Sequence, residues 1–196
     1  MHNKFIDLIL KNRSYRGFDK TYKVSIEECI NMINCARFSA SSSNIQPLKF
    51  YIATDEIEVA EIQKLTRWAG SLSNLTLPKL NEEPTAFIVV CHDITISNNV
   101  DRFLIDVGIV SQSILLSSAD QGLGGCMIRS FEKQKLIELL KFNENLIPQL
   151  VIALGKPIET IKLVDKEENK DTTYYRDDNG IHYVPKRTLN ELIIEH

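Results

Sequence analysis

The segment from Asp101 to Gln121 leaves this chain few folding options. At helical spacing, Phe103, Leu104, Val107, Val110, Ile114 and Leu115, joined by Ile109 and Leu116, fall on most faces of one long helix. A helix that is apolar nearly all round has to be covered nearly all round. It therefore runs through the centre of the fold or lies in a subunit interface. Gly122-Leu123-Gly124-Gly125 follows as a helix-ending turn, and Cys126-Met127-Ile128 enters a strand.

A second segment adds a sheet. Thr85-Ala86-Phe87-Ile88-Val89-Val90-Cys91 is an unbroken apolar run of strand length, which predicts a strand buried on both faces. Leu48–Ala53, entered from Pro47, and Leu146–Leu154, left through Gly155-Lys156-Pro157, predict two more strands. Helical spacing recurs over residues 2–11, 56–67 and 132–142. Another helix starts at Ser25, where Ser25 and Glu28 form a capping box, and carries the stripe Ile26, Cys29, Ile30, Ile33, Ala36. Helices alternating with few strands define an α+β chain with a three-layer arrangement.

Trp68–Pro84 has no period and is long for a connection, so it is a candidate lid or binding loop. From Ile158 the chain changes character. Asp165–Asp171 is mostly charged, and Asn179-Gly180 between Tyr174-Tyr175 and His182-Tyr183-Val184 predicts a hairpin. A short helix around Leu189–Ile194 follows.

A length of 196 residues suits one domain with appendages, and 43% hydrophobic with 25% charged residues is ordinary globular composition. A net charge of -3 gives no electrostatic case for nucleic acid. No uninterrupted apolar run reaches the roughly 20 residues of a membrane span. Asp7 and Lys11 interrupt the apolar N-terminal residues, so no secretory pattern is read there and a cytoplasmic setting is expected. Cys29, Cys35, Cys91 and Cys126 lack metal-site spacing.

Two loops concentrate the chemistry. Asn12-Arg13-Ser14-Tyr15-Arg16 supplies two guanidinium groups and a hydroxyl, and arginine forks match phosphate oxygens in bidentate fashion. Ser41-Ser42-Ser43-Asn44-Ile45-Gln46 supplies hydroxyls and carboxamides suited to a polyhydroxylated ligand. Lys186-Arg187 could complete a phosphate clamp. The glycines at 122–125 either just end the helix or let backbone N–H groups approach a flat ring. P-loop, GxGxxG, HExxH and GxSxG patterns are absent. Cys126 reads as a buried strand residue, His92 as a surface or satisfied one, and His2, His182 and His196 carry no signal.

In chain order these motifs resemble the nitroreductase family of flavoproteins. Arg13-Ser14-x-Arg16-x-Phe18 is similar to its RSxRxF, and Ser41-x-x-Asn44-x-Gln46-Pro47 to its PSxxNxQP. Asp106-x-Gly108 with Gln112 and then Gly122-Leu123-Gly124 resemble its central helix and glycine turn. Ala153–Pro157 and Lys186-Arg187 resemble its last strand and terminal basic pair. Ala40 and Leu48 depart from the family's usual proline and tryptophan, and Asn12 from its arginine or histidine.

The resemblance implies a three-layer α-β-α fold with a central mixed sheet, in an intertwined homodimer with shared FMN sites. Residues 1–160 would form the FMN-binding domain and 161–196 an arm that completes the domain and the dimer, wrapping a neighbour. Arg13, Ser14, Arg16, Lys186 and Arg187 would hold the phosphate and ribityl chain. Ser41, Asn44 and Gln46 would belong to the flavin loop, with Ser41 and Asn44 reaching the other subunit's cofactor. Gly124 and Gly125 would face the flavin ring. The implied activity is hydride transfer from NADH or NADPH through FMN to a nitroaromatic, quinone or similar small acceptor by a ping-pong cycle, with no catalytic side chain of the protein's own. A flavin-storing or electron-carrying protein, or a flavin enzyme of different chemistry such as reductive dehalogenation, remains the alternative.

Overall fold

The structure is a computed structural model that describes residues 3–70, 75–168 and 170–194. Its centre is a sheet of four strands, β1 (Leu48–Ala53), β2 (Ala86–Asp93), β3 (Gly124–Ile128) and β4 (Leu146–Gly155), in the order β1-β2-β4-β3. Side chains alternate across a strand, so an apolar run divides between two faces. In β2, Ala86, Ile88 and Val90 join one buried cluster with Met32, Val107 and Ile114. Phe87, Val89 and Cys91 join the other, with Val59, Ile62 and Leu136. The helices are α1 (Lys4–Lys11), α2 (Ile26–Ala36), α3 (Glu56–Lys64), α4 (Leu104–Asp120), α5 (Lys133–Leu140) and α6 (Leu189–Leu192). Helices α2 and α4 cover the first face, α3 and α5 the second, so the fold is three layers deep.

Every pairing within the central sheet is antiparallel, so the expected mixed sheet is met only elsewhere. The remaining strands, β5 (Ile161–Asp165), β6 (Tyr175–Arg176) and β7 (His182–Lys186), form a separate sheet in which β5 and β7 are parallel. The hairpin read at Asn179-Gly180 joins β6 to β7, with Gly180 at φ +76° and Asp177 accepting from the amides of Asn179 and Ile181. Strand β5 was not read from sequence.

The capping box at α2 is present in both directions, Ser25 Oγ accepting from Glu28 N and Glu28 accepting from Ser25 N. Helix α3 stops at Lys64, short of Arg67, because the chain turns away to pair elsewhere: Arg67 N donates to the Ser130 carbonyl. Of the candidate lid, residues 71–74 lie outside the described residues. Its far end is anchored, with Leu77 and Pro78 buried and Phe18 N donating to the Glu82 carbonyl.

Helix α4 runs through the centre of the fold and leaves one side open. It packs Val107, Val110, Ile114 and Leu115 on the sheet, yet Ile105 stays 74% exposed, with Leu104 and Ile109 beside it also open. Asp101–Asp120 has the length and hydropathy of a membrane span, but half of it is buried inside the fold and Asp106 holds a loop, so it is a core helix.

Candidate cofactor site

A cavity of about 360 Å³ opens where the loop after α1 meets the face of β7. Arg13, Ser14, Arg16 and Lys186, four of the residues singled out in the sequence, line it together with Gln112 of α4. Its volume is within the usual range for small-molecule sites. Among the described residues, none of Arg13, Arg16 and Lys186 has a carboxylate within ion-pair distance. Arg13 is tied back by one donor to the Ile9 carbonyl at 2.8 Å, and its Nε is shielded from water with no partner. Burial lowers the Arg13 pKa, but a guanidinium stays charged. Three cations on one concavity, one with a stranded donor, fit an anionic ligand.

The β7 pairing explains how Lys186 reaches this place. Residues at i, i+2 and i+4 of a strand share a face. His182, Val184 and Lys186 accordingly all line the cavity. Arg187 follows the last residue of β7. It is exposed, stands 3.9 Å from Glu191 and does not line the cavity.

Gly124 and Gly125 also have a packing task that was not read in sequence. Both are buried in β3, and neither lines the cavity. A Cβ on Gly124 would sit 2.5 Å from the Tyr15 ring and 2.7 Å from Pro157. One on Gly125 would sit 2.3 Å from the Ala153 carbonyl oxygen. Tyr15 N donates to the Gly125 carbonyl at 3.0 Å. The glycines let the arginine loop lie directly on the sheet and so support the site from behind. Gly122, at φ +74°, is the residue that ends α4.

The second loop stands apart from this cavity. Ser41 and Gln46 line another, of about 240 Å³, with Asp106 of α4. Ser41 Oγ donates to Asp106 at 2.6 Å and accepts from Gln46 N at 3.0 Å. Gln46 Nε2 donates to Asn44 Oδ1 at 2.9 Å, and both side chains are exposed. Ser43, Asn44 and Gln46 have φ of 51°, 54° and 54°, a left-handed conformation uncommon outside glycine that concentrates at functional sites.

The arm after residue 160 folds onto its own body. Glu159, nearly buried, accepts from the backbone N–H of Arg16 and pairs with Arg176. Arg16 stacks over the Tyr174 ring at 5.1 Å, and Tyr174 meets His182 edge-on at 5.2 Å. The expectation that the arm does not pack locally is therefore corrected.

Tyr174 and His182 are the site residues that the sequence reading missed. The alternation that leads back from Lys186 to His182 was the available signal. His182 is 2% exposed, and burial with the charges of Arg16 and Arg176 lowers its pKa to about 4. Cys126 is a buried strand residue, as read, and burial raises its thiol pKa. His92 is fully buried rather than at the surface, with Nε2 bonded to the Ser97 carbonyl at 2.6 Å.

The site is a cationic cavity at the edge of a three-layer α-β-α fold, suited by charge to an anionic small molecule. The particular family follows from comparison. The Nitroreductase family model matches residues 9–156, and the chain belongs to that family. Bacillus subtilis (strain 168) YdgI, named as an NAD(P)H nitroreductase, is 20% identical over 185 residues, which cover 79% of this chain and 88% of YdgI. A Parabacteroides distasonis structure, named as an NADH dehydrogenase/NAD(P)H nitroreductase, is similar with a TM-score of 0.70 at 23% identity, covering 100% of this chain and 98% of that one. The NADPH:FMN oxidoreductase of Vibrio harveyi, complexed with NAD+, aligns with a TM-score of 0.66 at 25% identity, over 86% of this chain and 78% of its own. An Exiguobacterium sibiricum structure named as a nitroreductase in complex with FMN aligns with a TM-score of 0.66 at 21% identity, over 81% and 90% of the two chains.

Proposed function

We propose that the protein is an FMN-dependent oxidoreductase that takes hydride from NADH or NADPH and reduces a small acceptor such as a nitroaromatic or quinone. The observation that carries this reading is the convergence of Arg13, Arg16 and Lys186, without carboxylate partners, on one cavity of a nitroreductase-family chain. Relatives named for NAD(P)H and FMN support the choice of donor and cofactor.

The residues fit the group. The three cations would hold the terminal phosphate, with the Ser14 hydroxyl as a further donor. Bound FMN would supply the hydride chemistry, so no side chain need act as acid, base or nucleophile. Cys126, buried and with its thiol pKa raised by that burial, agrees with that. Donor and acceptor would use one pocket in turn, a ping-pong sequence.

The site is completed in a homodimer on this reading. Ser41 and Gln46 line a separate cavity, so the loop they share with Asn44 would serve the flavin of the partner subunit. Exposed apolar residues on three helices, among them Phe5, Ile30 and Ile105, support a large interface between copies.

The test is an anaerobic titration of the purified yellow protein with NADH and with NADPH. Rapid loss of flavin absorbance with at least one donor, reversed by a quinone or nitroaromatic, is the expected result. Denatured protein should release FMN and no FAD. A protein that takes up no FMN, or whose flavin resists both donors, contradicts the proposal.

A further inference from the structure

His182 is a polar side chain nine-tenths buried at the wall of the cationic cavity, and it has no bond to account for it. Its Nδ1 is shielded from water and unpartnered. Its Nε2, equally unbonded among the described residues, is not among the shielded atoms, and the cavity is the open space that the ring lines. A buried imidazole without a partner is costly, since each unmade bond forfeits the hydration it lost. The ring is nonetheless held in place: Tyr174 meets it edge-on, Arg176 is its register partner on β6, and its backbone N–H donates to the Thr160 carbonyl.

Burial first, and then the charges around it, set its state. Arg16 comes from the loop after α1 and Arg176 from β6, and the carboxylate of Glu159 is already paired with Arg176. Lys186 stands two residues beyond Val184 on the same strand face. With these cations near and water excluded, the ring is neutral at physiological pH. A neutral imidazole carries one N–H and one lone pair. With its N–H on Nε2, the nitrogen that is not shielded, the ring can donate to a ligand.

We propose that His182 is a fourth anion-holding side chain of the cavity, donating Nε2–H as a neutral imidazole to a phosphomonoester oxygen. This rests on the reading of the cavity as the seat of the cofactor's phosphate. It adds a donor without a fourth charge, and the strand alternation that brings in Lys186 brings in His182 as well. Anion binding offsets the cations that suppress protonation, so the occupied site holds His182 at a higher pKa than the free one.

The experiment uses the full chain, freed of flavin, and the variants His182→Phe and His182→Gln. FMN, riboflavin and inorganic phosphate are the probes. His182→Phe keeps a ring against Tyr174 and should bind FMN about tenfold or more weakly, the scale of one bond to a charged group. Its riboflavin affinity should not change, and His182→Gln, which keeps an N–H, should recover part of the loss. In the unsubstituted chain, histidine ring NMR with inorganic phosphate should move the His182 nitrogen signals and raise their titration midpoint. Unchanged FMN affinity in His182→Phe, or His182 signals unmoved by saturating phosphate, overturns the proposal. A response to phosphate in a chain that takes up no FMN would sustain His182 as an anion ligand and defeat the flavin reading alone.

Discussion

Ser41 and Asp106 are joined across the helix–loop boundary by a 2.6 Å hydrogen bond, hydroxyl to buried carboxylate. The same carboxylate accepts from Ser42 N at 3.1 Å, so one side chain of α4 fixes the start of a loop whose next residues lie at unfavourable φ. Asp106→Ala should cost about 2 kcal/mol, because charge-assisted bonds are lost and the loop amide is left unpaired. FMN affinity should fall with it while the Arg13–Arg16 loop is untouched. Urea unfolding and flavin titration on the same variant check both, and an unaltered loop function in Asp106→Ala would deny the residue its positioning role.

The cation cluster makes a sharper prediction because it includes a control. Arg16→Ala and Lys186→Ala should each weaken FMN binding about ten- to a hundredfold, since each removes a charge-assisted bond. Arg187→Ala, whose guanidinium is turned toward Glu191, should bind FMN as the parent does. Equal losses in all three variants would return Arg187 to the clamp.

The two glycines behind the arginine loop should separate stability from binding. Gly125→Ala presses a methyl against the Ala153 carbonyl inside the central sheet, where neither backbone can yield, and should destabilise by roughly 1–3 kcal/mol or more. Gly124→Ala presses on the Tyr15 ring and Pro157 instead. Tyr15 lies between Ser14 and Arg16, so the loop shifts and FMN affinity should drop more than stability does. Thermal unfolding beside flavin titration measures both effects; a Gly124→Ala variant as stable and as tight-binding as the parent would refute this supporting role.

What could be read from the sequence divides along a physical line. Local signals held: Ser25 with Glu28 as a capping box, the apolar run of β2, and Asn179-Gly180 as a hairpin. Each is decided within a few residues by backbone preference or side-chain period. Arg13, Arg16 and Lys186 were singled out in the sequence as cations that could meet on an anion, and the structure brings them to one cavity. The packing role of Gly124 was not legible, because it depends on Tyr15, over a hundred residues away. The parallel pairing of β5 with β7, and with it the burial of His182, likewise joins residues distant in sequence, as does Glu159 in binding both Arg16 and Arg176.

Sharing of sites between subunits can be tested by complementation. Arg16→Ala damages one wall of each site and Asn44→Ala the other. Mixed subunits should give heterodimers with one doubly damaged and one intact site, so flavin binding partly recovers. Absence of recovery, or sedimentation of the native protein as a monomer at micromolar concentration, contradicts shared sites.

The central claim is that Arg13, Arg16 and Lys186 hold the phosphate of FMN, and its most direct measurement compares FMN with riboflavin, which lacks only that group. Titration of the flavin-free protein by fluorescence quenching should show FMN binding at least a hundredfold tighter, the scale of two or more charge-assisted bonds. The advantage should shrink in Arg16→Ala and again in the Arg16→Ala, Lys186→Ala double variant. Equal affinity for the two flavins in the unsubstituted chain would contradict the assignment of this cavity.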